Sequence, residues 1–275
     1  MTPRTVLTIA GSDSGGGAGI QADLKTFAAL GAYGTSVLTA VTAQNTRGVD
    51  GVLPLPPQTV TEQLDSVLTD FTVRAVKTGV LGTPAVADAI ADAARSGRLP
   101  HLVVDPVLVA TSGHTLGVTA AVERLLPYAQ VATPNCAEAA ALTGGPVTTV
   151  EEMVAAAEAL AAGGPAHVVV TGGDVDADGE SVDVLVGAGG TTLLRGPRVD
   201  TVNNHGTGCS FSAAVAVRLA AGDPVAVAVA TAKEYVARAL TGGRDWKLGA
   251  GAGPLDHFGW ACAPGQGTAG ASRPA

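Results

Sequence analysis

Two glycines and a thiol at the opening of an apolar helix are the residues of this chain best suited to chemistry. The run Asn203-Asn204-His205-Gly206-Thr207-Gly208-Cys209 leads straight into Ser210-Phe211-Ser212-Ala213-Ala214-Val215. Glycine lacks a Cβ, so the backbone bends freely there and can approach a ligand closely. The first N–H groups of a helix have no partner within it and carry the positive end of the macrodipole. Together these features make an anion site suited to phosphate. The same environment lowers the pKa of a thiol, which makes Cys209 a candidate base or nucleophile. A glycine-rich turn with Cys209 as a small buried hydrophobe fits the same residues.

A second glycine-rich loop, Gly11 to Asp23, also opens a helix and reads as a ligand-covering loop. It is neither a dinucleotide fingerprint nor a Walker A loop, because GxxxxGK[ST] occurs nowhere in the chain. Asn135 and Glu138 stand three residues apart on one face of a starting helix. That spacing suits magnesium near phosphates, and equally a helix cap with a reciprocal glutamate. Asp174-Val-Asp176-Ala-Asp178-Gly179 imitates the start of a calcium loop. The closing carboxylate would fall at Leu185 between strands, so calcium is rejected in favour of a solvated acidic turn. His205 either steers a phosphate or satisfies backbone groups. His101, His114, His167 and His257 form no Cys/His cluster, so no zinc site is implied. No Gly-x-Ser-x-Gly elbow supports a serine hydrolase.

The elements that must position these residues alternate. Thr5–Ala10, Ser36–Ala43, Ala75–Val80, His101–Val107, Val131–Thr133 and His167–Val170 read as buried strands. Ile20–Leu30, Gln58–Leu68, Pro84–Ala94, Thr119–Leu126 and Glu151–Ala161 carry helical spacing. This predicts βαβ units, a mostly parallel sheet and helices on both faces. Gly51–Leu55 reads as a small edge flap, and Ser181–Val186 with Thr191–Leu194 as an antiparallel hairpin. Helices over Gly206–Ala220 and Pro224–Leu240 follow, within a single domain spanning 1–260 and a disordered tail over 261–275. Ligands of open α/β sheets sit beyond the carboxyl ends of the strands. Gly11-Ser12-Asp13, Gln44-Asn45, Lys77-Thr78-Gly79, Asp105, Asn135 and Thr171-Gly172-Gly173 all fall there, which predicts one active-site rim.

Composition narrows the class. The 275 residues are 47% hydrophobic and 15% charged, with a formal net charge of −8. That balance speaks against a nonspecific nucleic-acid surface but not against a small phosphorylated ligand. No apolar run is long enough to span a membrane. The start of the chain lacks the pattern of a secretory signal, so a cytoplasmic protein is expected. Three cysteines without a CxxC pair imply neither a disulfide framework nor a zinc cage.

Taken in order, the motifs resemble the hydroxymethylpyrimidine/phosphomethylpyrimidine kinases of thiamine biosynthesis, within the ribokinase-like superfamily. The resemblance rests on Leu7-Thr-Ile-Ala-Gly-Ser-Asp, Gly16-Gly-Ala-Gly-Ile-Gln-Ala-Asp-Leu-Lys-Thr-Phe, Gly31-Ala-Tyr-Gly, Thr42-Ala-Gln-Asn-Thr, Lys77-Thr-Gly, Val104-Asp-Pro-Val, Thr133-Pro-Asn with Glu138, His205-Gly-Thr-Gly-Cys and Gly253-Pro-Leu-Asp-His-Phe. It runs from about Thr8 to Trp260. It implies a three-layer α/β sandwich, ATP and Mg2+ as cofactors, and phosphorylation of an aminopyrimidine alcohol and then of its monophosphate. By resemblance, Gln44 bonds the pyrimidine edge, Gly11 and Asp23 line its pocket, and Val80 and Val107 form the apolar walls. Gly206, Thr207, Gly208 and Cys209 match the anion hole, with Cys209 at the position of the base. Asp105 and Glu138 match metal positions, and Asn135, Lys77 and Thr171 the nucleotide site. A homodimer using the Gly51–Pro57 flap is also implied.

The chain departs from the family pattern at four places. Thr171 and Thr111 stand where lysines are usual, Asn204 replaces a threonine, and Val80 a methionine. These departures leave room for a slow or narrowed enzyme, for a pyridoxal or pyridoxine kinase, and for a weakly catalytic pyrimidine-binding paralogue. A nucleotide-dependent oxidoreductase is disfavoured by the absent fingerprint.

Overall fold

The computed structural model describes residues 2–108, 119–173, 175 and 177–260. Thr111, His114, Asp174, Asp176 and the 261–275 tail, each singled out in the sequence, lie outside them. In chain order the elements are β1 (Thr5–Asp13), α1 (Gly19–Ala29), β2 (Tyr33–Asn45), β3 (Gly48–Pro54), α2 (Pro57–Asp70), β4 (Val73–Thr78), α3 (Pro84–Arg95) and β5 (Leu102–Val104). There follow α4 (Thr119–Glu123), a 3-10 turn (Leu126–Tyr128), β6 (Val131–Ala132), α5 (Cys136–Thr143), α6 (Val150–Ala162), β7 (His167–Val170), β8 (Glu180–Gly187), β9 (Gly190–Pro197), α7 (Thr207–Ala221) and α8 (Val225–Gly243).

Among the described residues one sheet runs in the order β3-β2-β1-β4-β5-β6-β7-β8-β9. Its centre, from β2 to β7, is parallel, while β3, β8 and β9 add antiparallel edges. The α/β sandwich expected from the alternation is present, and the Gly51–Leu55 flap is real as the antiparallel strand β3. The strand read over His101–Val107 shrinks to three residues, because the chain leaves the ladder at Asp105. Pro106 has no N–H to continue it.

Side chains of a strand point alternately to the two faces. Val6 and Leu7, Ala75 and Val76, Val103 and Val104, and Val169 and Val170 therefore divide between two separate cores. The first set packs on α1, α7 and α8, and the second on α2, α3, α5 and α6. Burial on both faces explains the continuous Val/Ile runs of the central strands. Helix α7 is sandwiched between α1, α8 and the sheet, so its residues from Ser210 to Val217 are all buried. That packing fixes the direction in which its N-terminus points.

Candidate active site

The carboxyl ends of the parallel strands open into one cavity of about 1050 Å³. Gly11, Gln44, Lys77, Val80, Asp105, Val107, Asn135, Glu138 and Thr171 line it, together with all four residues of the Gly206–Cys209 turn. Most of the predicted rim therefore meets there; Asn45, Thr78 and Gly172 fall outside the lining, as does Asp23, which the resemblance places in the pyrimidine pocket. Asp23 has no exposed surface. It lies on the first turns of α1 facing the sheet, where Thr8 Oγ1 donates to it at 2.6 Å and Lys77 Nζ donates to both carboxylate oxygens at 3.0 Å. Its place is beneath the pocket rather than on its wall.

Lys77 is likewise not a free cation. Fully buried, it bridges Asp23 and, at 3.3 Å, Asp105 Oδ2. Burial alone would lower its pKa, but the carboxylates of Asp23 and Asp105 and the neighbouring Cys209 outweigh it and hold the ammonium charged. Ser212 Oγ also donates to Asp105 Oδ2, at 3.1 Å, which ties the first turns of α7 to the end of β5.

Gly206 caps α7 with φ +86°, and a Cβ there would run into the carbonyl oxygen of Gly17. Only glycine suits both the left-handed backbone and the close approach. The helix then begins at Thr207, whose amide donates to the Asn204 carbonyl at 3.2 Å, and the amides after it, unreachable by any carbonyl of the helix, lie at the cavity wall. Cys209 differs from its sequence expectation. Burial, and then the Asp105 and Asp23 carboxylates, push its thiol up to about 12, against the opposing pull of Lys77 and the Gly19 amide. The helix terminus does not lower it, because desolvation and two buried carboxylates are stronger than a half-charge at a helix end.

Asn135 and Glu138 form the capping box: the Glu138 N–H donates to Asn135 Oδ1 and the Asn135 N–H to Glu138 Oε2, both at 2.9 Å. The cap does not exclude the ligand role, since both residues also line the cavity. Burial and the adjacent Asp105 carboxylate push the Glu138 carboxyl up to about 8. A buried carboxyl whose charged form is disfavoured by a neighbouring buried carboxylate makes, with that neighbour, the kind of donor set a hard cation relieves. Among the described residues no group of three acidic, His or Cys side chains could hold a metal alone. Phosphate oxygens and water would have to complete its shell.

His205 bonds Asp13 at 2.9 Å, and its ring also lies 3.4 Å from Gln44 Nε2. Behind it the segment after α8 acts as a strap. The His205 N–H donates to Gly253 O, Asn203 side-chain atoms bond Gly243, Trp246 and Gly253, and Ser210 Oγ meets His257 Nε2 at 3.0 Å. Gly253-Pro-Leu-Asp-His-Phe thus braces the anion turn from outside the cavity. The departure at Asn204 falls on an exposed residue whose carbonyl, rather than side chain, caps Thr207.

Sequence reasoning missed Lys233. It lines the cavity from the middle of α8, bonded to Asp183 Oδ2 at 2.8 Å and Ser181 Oγ at 3.3 Å. Asp183 Oδ1 in turn accepts from the Gly172 amide, next to Thr171. A lysine on an amphipathic helix carries no local sign of such a role. Only the buried acid on the facing strand, Asp183, gave a signal, in an otherwise apolar run.

A model of the family described as phosphomethylpyrimidine kinase matches residues 13–256. The hydroxymethylpyrimidine/phosphomethylpyrimidine kinase of Streptomyces coelicolor is 50% identical over 265 residues, covering 95% of this chain and 96% of its own. That of Rhizobium meliloti is 49% identical, with 92% and 96% covered. Among solved structures, the pyridoxal kinase of Staphylococcus aureus in complex with AMP-PCP and pyridoxal superposes with a TM-score of 0.85 at 38% identity, over 94% of this chain and 95% of that one. The phosphomethylpyrimidine kinase of Clostridium difficile gives 0.75 at 40%, over 86% and 99%.

Proposed function

The chain belongs to the phosphomethylpyrimidine kinase family, and on that premise we propose how its residues divide the work. It is a phosphotransferase of thiamine biosynthesis, acting on the hydroxymethyl group of 4-amino-5-hydroxymethyl-2-methylpyrimidine and on the resulting monophosphate. The observation that carries the assignment of roles is the single cavity joining Gln44 to the Gly206–Cys209 amides and onward to Lys233.

Gln44 presents its amide to the pyrimidine edge, while Val80 and Val107 pack on the ring. That leaves the hydroxymethyl group directed at Cys209. ATP enters from the β9 and α8 side, with Asn135 and Thr171 near its phosphates and Lys233 supplying the cation that Thr171 lacks. Asp105 and Glu138 would hold magnesium, which would neutralise charge on the triphosphate. The amides of Gly206, Gly208 and Cys209 stabilise charge on the phosphoryl group in transit, the main task in this reaction, while the Thr207 amide is held by the Asn204 carbonyl. The alcohol oxygen bonds to the γ-phosphorus as its bond to ADP breaks, and the alcohol proton passes to Cys209 Sγ. Since that thiol rests protonated, its own proton must first pass to solvent water, a loss that the Lys77 charge favours, and the proton taken from the alcohol then restores the thiol. General-base help of this kind is worth roughly 10²–10⁴-fold.

One kinase domain over 1–260, assembly as a homodimer and residence in the cytoplasm complete the proposal. Among the described residues no helix is long and apolar enough to cross a membrane.

The test is coupled ADP release by the purified protein with the pyrimidine alcohol, magnesium and ATP. Turnover is expected, and Cys209→Ala should lower kcat far more than it alters KM. No turnover, with the variant indistinguishable, would sink the assignment. Pyridoxal is the second alcohol to try, because pyridoxal kinases superpose closely. The ratio of kcat/KM on the two alcohols decides, and the pyrimidine is expected to win.

A further inference from the structure

Asp13 stands on the cavity wall, yet both oxygens of its carboxylate are bonded to the protein. Oδ1 accepts from the Gly15 amide at 2.8 Å, and Oδ2 from the Gly17 and Ala18 amides at 3.0 and 2.8 Å. The fourth donor is His205 Nε2, 2.9 Å from Oδ2 and 192 residues away in the chain. Of about four acceptor positions on the carboxylate, those of Oδ2 are saturated by three donors and Oδ1 already takes one, so most of its capacity is spent on the protein. It can only accept, which places the proton of the His205 ring on Nε2. Burial pushes the Asp13 carboxyl up, but the bonds from His205, Ala18 and Gly15 outweigh it and hold it below the usual range.

These four bonds join the two glycine-rich loops that the sequence marks as separate anion sites. His205 immediately precedes Gly206, so fixing its ring fixes the entry to the anion turn. The loops also touch where glycine leaves room: a Cβ on Gly17 would strike the His205 ring, and one on Gly206 would strike the Gly17 carbonyl. The glycines permit this contact, but being featureless they do not set its register. Asp13 is the group that does.

We propose that Asp13 is a positioning residue for phosphoryl transfer, locking the Gly15–Ala18 loop and the Gly206–Cys209 turn into one rigid cradle through His205. The proposal rests on the kinase reading above. A misplacement of about 1 Å in such a cradle can cost 10²-fold in rate.

Asp13→Asn keeps the shape and one acceptor but cannot accept all four bonds. Relative to wild type, kcat for ADP release should fall about 30- to 100-fold, with KM for both substrates changed by no more than about threefold. The active fraction is set by titrating the pyrimidine. Nitrogen NMR of the ring should show the wild-type His205 protonated at Nε2, and that resonance should shift in the variant. Gly17→Ala leaves Asp13 intact and displaces His205, so it should reproduce the kcat loss, and it carries the test should Asp13→Asn not fold. Either folded variant retaining kcat within about twofold, or losing only KM, overturns the proposal. Wild-type turnover on neither alcohol would remove the kinase reading instead. The His205 tautomer then decides alone, and a wild-type ring unprotonated at Nε2 overturns the Asp13 link.

Discussion

Asp23 and Lys77 form an ion pair without exposed surface, 3.0 Å apart, directly beneath the cavity. Lys77 reaches across from β4 to α1 and simultaneously to Asp105, so one ammonium holds together two carboxylates that would otherwise repel. Removing one member of a buried pair strands the other, at a cost of roughly 3–5 kcal/mol. Lys77→Met should therefore destabilise the protein by about that amount in urea unfolding, through two uncompensated acids. Asp23→Asn should cost less, since Asp105 still pairs the lysine. Equal losses from the two substitutions would contradict this arrangement.

The chemistry of Cys209 follows from the same cluster. A thiol pushed up to about 12 by burial, and then by Asp105 and Asp23, is almost wholly protonated at neutral pH. Alkylation of the unliganded protein by iodoacetamide, followed peptide by peptide, should be very slow at pH 8. It should rise roughly tenfold per pH unit toward 11, while denatured chain labels readily near 9. Rapid labelling of native Cys209 at pH 7 would show the thiolate to be favoured after all.

His257, in the strap behind the anion turn, is held down to about 4 by burial and by Lys25. In the unfolded chain it takes a proton near 6.5, so the unfolded state binds more protons between those values. Stability from this residue is present above pH 6.5 and lost as pH falls toward 4, to the extent of a few kcal/mol. His257→Gln keeps a nitrogen near Ser210 but cannot titrate. Chemical denaturation across pH 7 to 4 should give a flatter decline for the variant, and superimposable curves would refute the assignment.

The two glycines that bound α7 separate function from fold. Gly206 has φ +86° and no room for a Cβ, whereas Gly222, at the other end, has φ +93° and open space around it. Gly222→Ala should cost about 1 kcal/mol of backbone strain and leave turnover intact. Gly206→Ala should cost more and abolish turnover, since the first amides of the helix must move. Denaturant midpoints and ADP release on the two variants check the contrast.

Much of this was legible in the sequence. The β-α alternation determined the layered fold, because strands buried on both faces need apolar residues at every position. The Gly11 loop, Gln44, Asp105 and Asn135 declared themselves through their place at strand ends, where the topology of an open sheet gathers its ligands, and Glu138 through its spacing from Asn135 on the helix that follows. Local chemistry also foretold the cap at Asn135. What the tertiary structure alone decided was how these groups meet. Asp23 and Lys77 belong to different elements, and nothing local shows that each neutralises the other rather than a ligand. Cys209 sits at a helix start, which favours a thiolate, but burial beside two carboxylates reverses the sign. Lys233 looks like any helical lysine until Asp183 faces it across the cavity. Asp13 and His205 are far apart in the chain, and only folding makes one carboxylate the joint between two anion-binding loops. Short-range rules act through bonds and spacing, whereas charge, desolvation and close approach depend on what the fold packs alongside.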